Sequence, residues 1–214
     1  MTAVHVQTAE DRRVAVRRSR QLNRLTIGWN VAEGLIAVLA GTLAGSVSLV
    51  GFGLDSGIEV SAAVILAWRL GKEDRSGCMA DFDLRATRLI AVSFAVLAGY
   101  VGVESIRDLI GRHEPEASLV GIVLAAVSLT AMPLLARAKR RLAPALGSRA
   151  AASEANQTSL CAVLSGVLLV GLGLNALLGW WWADPTAGLL IAALAAIEAV
   201  RTWRAEALAD TCCG

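Results

Sequence analysis

Histidine is nearly missing from this chain: 214 residues hold two, His5 and His113, and neither falls in an apolar segment. No nucleophile stands beside a base in the pattern that covalent catalysis uses, and no glycine-rich phosphate loop is visible, so an enzyme is not expected. Cysteine is scarce too. Cys78, Cys212 and Cys213 are placed on the reducing side and Cys161 inside an apolar segment, which argues against a disulfide framework. No secretory signal is recognised: the first apolar run follows the charges, is too long, and lacks a small-residue cleavage site. Nothing of domain size is left over for a soluble module.

What the chain does have is apolar length. It is 56% hydrophobic with a mean hydropathy of +0.59, against about 45–50% apolar in average soluble domains. The excess lies in blocks of about 20 residues, the length that spans a bilayer core. The predicted fold is an all-α membrane protein with six transmembrane helices. Their expected spans are residues 22–40, 47–70, 85–110, 119–136, 150–178 and 185–204. Pro133 is expected to kink or end the fourth. The three consecutive tryptophans, Trp180 to Trp182, mark a membrane–water interface. Asp184-Pro185 is a good start for the sixth helix. Gly51, Gly53, Gly57 and Ser61 are expected to keep one side of the second helix thin, so that a neighbour can come close.

Charge fixes the orientation. Eighteen of the 20 Lys and Arg fall in four places: residues 12–24, 69–88, 137–149 and 201–204. Arg107 and Arg112 flank one intervening turn, and the turns at 41–46 and 180–185 carry neither Lys nor Arg. By the positive-inside rule both termini are cytoplasmic. The chain therefore divides into a basic cytoplasmic arm (1–21), a six-helix transport domain (22–204) and a short cytoplasmic tail ending in a cysteine pair (205–214). The arm's arginines are read as topological, and no nucleic-acid partner is expected.

Polar residues inside the apolar blocks point to chemistry. A carboxylate at the centre of a membrane helix costs about 2.5–3.5 kcal/mol on insertion scales and is a functional-site hypothesis by default. Asp55 and Glu59 stand four apart in the second helix, and Gln157 and Cys161 four apart in the fifth, so each pair shares one helix face. At 1.5 Å per residue, Asp55 lies roughly 13–14 Å below the outer edge and Cys161 roughly 18 Å above the inner one. In a core about 30 Å thick these two fall at one level. Glu59 and Gln157 fall at a second level, one turn nearer the cytoplasm. If the two antiparallel helices touch, four donors form a compact square for a divalent cation. Glu33, with Asn30 one turn before it, also reaches mid-membrane as a fifth ligand, a proton carrier or a structural partner. Each residue has a plainer reading. Asp55 can be structural, and Glu59 can reach toward the cytoplasmic side. Gln157 can be an interhelical hydrogen-bond donor and Cys161 a small core residue. Glu154 is either a ligand at the inner mouth or a solvated interface residue. The Cys212–Cys213 pair is either a soft-ion catcher or part of an uninvolved tail. Glu104 and Asp108 are expected to pair with Arg107 and Arg112, and Glu198 with Arg201.

These motifs, in this order, resemble those of the cation diffusion facilitator (cation efflux) family. Leu54-Asp55-Ser56-Gly57-Ile58-Glu59 fits its second-helix metal motif. The segment from Ser153 to Cys161 occupies the place of the fifth-helix motif. The segments Trp182 to Ile191 and Tyr100 to Leu109 are similar to its approach to helix six and its ending of helix three. The resemblance covers residues 22–204. It departs from the family at Gln157, where the family has His, and at Cys161, where it has Asp. The usual His-rich loops and the C-terminal cytoplasmic domain that many members carry are also missing. The pattern is therefore that of a short, atypical branch.

The resemblance implies a secondary transporter that exports a divalent transition metal from the cytoplasm in exchange for protons. It also implies a homodimer in the cell membrane, with no permanently bound cofactor. The implied metal ligands are Asp55, Glu59, Gln157 and Cys161, with accessory metal or proton roles open to Glu33, Glu154, Cys212 and Cys213. Ligands must lose protons to bind metal, so binding and proton release are linked. Thiolate softens the site and favours zinc, then cadmium, with cobalt also accepted. The alternatives are a metal-binding membrane sensor, or a scaffold subunit that does not transport.

Overall fold

The structure, a computed structural model, describes residues 9–72, 80–146 and 149–207. Among them are six helices and no strand: α1 (Ala9–Ala44), α2 (Val47–Lys72), α3 (Ala80–Gly111), α4 (Leu119–Leu146), α5 (Arg149–Leu178) and α6 (Ala183–Ala207). All six contain a stretch long and apolar enough to cross a membrane. The six expected spans are thus present, and every helix is longer than its span. α1 begins at Ala9, so Arg12 to Arg20 ride on the same helix as the first apolar segment. α4 does not end at Pro133 but continues to Leu146. Proline removes only one ladder hydrogen bond, and in a membrane helix the neighbouring bonds carry the turn through.

Among the described residues, three turns have left-handed backbone: Arg112 at φ +50° in the turn after α3, and two that use glycine. Gly45 at φ +65° separates α1 from α2, and Gly179 at φ +66° follows α5. Ser46 then caps α2, its Oγ accepting from the Leu49 amide at 3.2 Å. A second group holds the same helix start from a distance. Asp184, in the first turn of α6, is fully buried and accepts from Ser46 Oγ at 2.6 Å and from Ser48 Oγ. One carboxylate thus ties the beginning of α6 to the beginning of α2.

α2 is the hub. It packs against α1, α3, α5 and α6, while α3 with α6 and α4 with α5 form further close pairs. The contacts are close because side chains are small. A Cβ on Gly51 would stand 2.8 Å from Val101 of α3, and one on Gly53 would stand 2.9 Å from the Val38 amide nitrogen of α1. Gly57 and Ser61 behave otherwise. Both are exposed, and a Cβ on Gly57 would meet nothing within 4 Å. Gly57 lies one turn beyond Gly53 on nearly the same side of α2, its backbone nitrogen 4.0 Å from where a Cβ on Gly34 of α1 would stand, but its own missing side chain points into open space.

The core runs along the bundle through Leu49, Phe52, Phe94, Met132, Leu164 and Leu168. Large apolar side chains also cover the outside: Leu35, Leu39, Val96, Val123, Leu134 and Val170 are all exposed. A surface of this kind is stable against lipid and not against water. The ion pairs expected near the helix ends include Arg107 with Glu104 at 2.7 Å and Arg201 with Glu198 at 3.8 Å. Trp180 and Trp182 stack at 5.0 Å in the turn before α6.

Candidate metal site

The four donors expected in α2 and α5 all point into the bundle. Asp55 is 4% exposed, Glu59 3%, Gln157 5% and Cys161 0%. Burial follows from helix phase: on α2, positions 52, 55, 56 and 59 share the inward face, and on α5 positions 157, 158, 161, 164 and 165 do.

The two levels derived from helical rise find counterparts in the contacts. Glu59 Oε1 accepts from Thr158 Oγ1 at 2.7 Å, which sets position 59 beside 157–158. Ser56 Oγ donates to Glu33 Oε2 at 3.0 Å, and the Cys161 thiol approaches the same oxygen at 3.9 Å. Positions 55–56 and 161 therefore meet on one plane, with Glu33 of α1 between them. Numbering rises on α2 as it falls on α5, so the two helices run antiparallel.

Glu33 is the best-held carboxylate here. It is 1% exposed and accepts from Ser56, from Ser128 of α4 and from Cys161, which joins four helices at one side chain. Asp55 lies within charge–charge reach of both Glu33 and Glu59. Three acidic side chains so close are self-repelling unless a cation or protons join them. Two neutral amides add open valence. Gln157 Oε1 is buried and has no hydrogen-bond partner among the described residues, and the same is true of both side-chain amide atoms of Asn30. Buried polar atoms without partners are uncommon in folded proteins and ask for an explanation such as an ion.

The donors are adjacent but not closed around a point. Among the described residues no three His, Cys, Asp or Glu side chains come together closely enough to hold a metal ion. The reason is visible in the contacts: Cys161 leans on Glu33, and Glu59 is engaged by Thr158. Of the accessory residues, Glu33 joins the cluster, and Glu154 lies near the start of α5 with no described side chain. Cys212 and Cys213 fall outside the described residues.

Several residues at this site lie outside the set expected to form it. Ser56, Ser128 and Thr158 serve the carboxylates as hydroxyl donors, and Lys139 of α4 reaches Thr158 at 2.9 Å. Asn23, which donates to the Ala63 carbonyl at 2.8 Å, extends the polar side of α1. Their common signal is phase. On α1, positions 19, 23, 26, 30 and 33 are all polar, all buried and spaced by three or four.

A search of curated proteins returns no match. The family whose pattern matches the sequence is the cation efflux transmembrane domain, over residues 25–208. That match spans nearly all of the chain and all six membrane-crossing helices, and it shows that the protein belongs to the cation efflux family of membrane metal-cation transporters.

Proposed function

We propose that the protein exports a divalent transition-metal cation from the cytoplasm in exchange for protons, with zinc as the first substrate and cadmium or cobalt as further ones. Asp55, Glu59, Gln157 and Cys161 are its transient ligands, in a homodimer set in the cell membrane with both termini cytoplasmic. The observation that carries this reading is the pair of buried carboxylates one turn apart on the central helix, facing a fifth helix whose Gln157 oxygen has no other partner among the described residues.

The open arrangement of the donors suits a carrier. A site that must release its ion gains nothing from closing permanently around it; binding has to be strong enough to capture and weak enough to let go. In this reading the arriving ion draws Cys161 away from Glu33 and Glu59 away from Thr158. Glu33 then keeps its two serine donors and acts as the acidic neighbour that takes up protons when the metal leaves. Gln157 cannot titrate, so it supplies a neutral oxygen while the carboxylates and the thiol carry the proton exchange. Alternating access would come from rocking one group of helices against another around the fixed site.

Reconstitution tests this. In proteoliposomes with a proton-sensitive dye inside, a zinc gradient should drive proton movement, and Asp55→Ala should reduce it to the level of empty vesicles. Stoichiometric zinc binding with no proton movement in the wild type would indicate a sensor, and equal flux in Asp55→Ala would remove Asp55 from the site.

A further inference from the structure

The basic cluster on the C-terminal half of α4 does not behave as one group. Arg137, Arg140 and Arg141 are exposed, as charges at a membrane boundary are expected to be. Lys139 is 6% exposed and turns inward against α5. Its ammonium donates to Thr158 Oγ1 at 2.9 Å, and Thr158, itself fully buried, donates its hydroxyl proton to Glu59 Oε1 at 2.7 Å. The direction of this relay is settled by chemistry. An ammonium has no acceptor, a hydroxyl has one proton, and the carboxylate is the end of the chain. Arg140 donates to Ser159 Oγ on the next residue of α5, which fixes the two helices in register. Lys139 is therefore held two hydrogen bonds from Glu59, through Thr158, the residue next to Gln157.

We propose that Lys139 is a tethered cation built into the wall of the metal site, a specificity-determining charge against which the incoming divalent ion must bind. The inference rests on the proposed function, in which Glu59 and Gln157 are ligands of the transported metal. A positive charge this near, in surroundings that screen poorly, helps keep the acidic cluster stable between transport events and lowers its affinity for every cation. The reduction is not equal in effect. A hard ion such as magnesium gains little from a thiolate, so the repulsion is enough to exclude it. A softer ion recovers the loss through Cys161. Discrimination then comes from a repulsive element as well as from the ligands. The same charge eases release, since it favours the state in which the metal has left.

The test is metal titration of the full-length protein in nanodiscs of uncharged lipid, with zinc and magnesium as probes. Lys139→Gln and Lys139→Met should each bind zinc at least about tenfold more tightly than wild type. Both should also bind magnesium measurably, and Lys139→Arg, which keeps the charge, should stay close to wild type in both. If Lys139→Gln binds zinc no more tightly than wild type while Asp55→Ala loses binding, the metal site stands and the tethered charge is wrong. If Lys139→Met loses binding and Lys139→Gln keeps the wild-type value, Lys139 serves only as a hydrogen-bond donor, which also overturns the inference. If Asp55→Ala binds zinc as wild type does, the site itself is misplaced and the inference falls with it.

Discussion

Cys161 is the residue on which metal preference turns. Its thiol is fully buried and rests 3.9 Å from Glu33, within one helix turn of Gln157. As a thiolate it would be the only soft donor among the described residues of the site; with serine in its place, the ligands that remain are carboxylate, amide and hydroxyl oxygens, which suit magnesium, calcium or manganese. Cys161→Ser should therefore lower zinc and cadmium binding relative to manganese, as competition titrations would show. Unchanged selectivity would mean that the thiol is filler and not a ligand. Asp55, Glu59 and Cys161 are legible in the sequence because each interrupts an apolar run at a spacing of four. Lys139 is not, because it stands among three arginines whose placement the positive-inside rule already explains. The information that separates it is phase: Ala125, Ser128, Met132, Ala136 and Lys139 recur at intervals of three or four and are all buried. Composition shows that a cluster is basic, and only the helix's rotation shows which member faces inward. Glu33 is visible as a mid-membrane carboxylate, but its role as the meeting point of Ser56, Ser128 and Cys161 depends on three other helices.

At the level of helices, α1 is turned inside out relative to a water-soluble helix. Its buried side carries Asn23, Thr26, Asn30 and Glu33, and its exposed side carries Leu25, Leu35 and Leu39. Lipid accepts the leucines, so the helix can devote its inner face to the polar centre. α2 makes the complementary use of glycine. Gly53 abuts the backbone of Val38, whereas Gly57, four residues on, faces open space. Gly53→Ala should push α1 and α2 apart and cost about 1–3 kcal/mol. Gly57→Ala should be nearly neutral, both read by denaturation of the reconstituted protein. Equal effects would mean that α1 and α2 are not held together by that contact. The sequence shows a thin helix but not which of its small residues does the thinning, since Gly51, Gly53 and Gly57 are equivalent until the position of α1 around α2 is known. The helix ends are likewise only partly legible. Hydropathy places the apolar stretches well, and every helix then runs past its stretch, because the flanking residues, arginines included, are good helix formers.

The whole molecule is a bundle whose polar centre lies between two chemically different ends. At one end lie Arg137, Arg140 and Arg141 on α4 and Arg201 and Arg204 on α6. At the other lie the turns at Gly45, at 112–118 and at Gly179, where the tryptophans stack and Asp184 binds Ser46 and Ser48. The proposed orientation, which follows the positive-inside rule, puts the basic end in the cytoplasm, and cysteine placement makes this directly testable. Of the four native thiols, Cys161 is buried in the bundle. In sequence Cys78 falls between α2 and α3, and Cys212 and Cys213 fall after α6, all three outside the described residues. A membrane-impermeant maleimide should therefore leave the wild type unlabelled in intact cells and label it once the membrane is opened. His113→Cys, at the exposed turn between α3 and α4, should be labelled in intact cells. Labelling of the wild type in intact cells, with His113→Cys adding nothing, would invert the protein. Lys139 and Glu59 would then lie toward the outer face, the site would fill from outside, and the same residues would describe uptake in place of export.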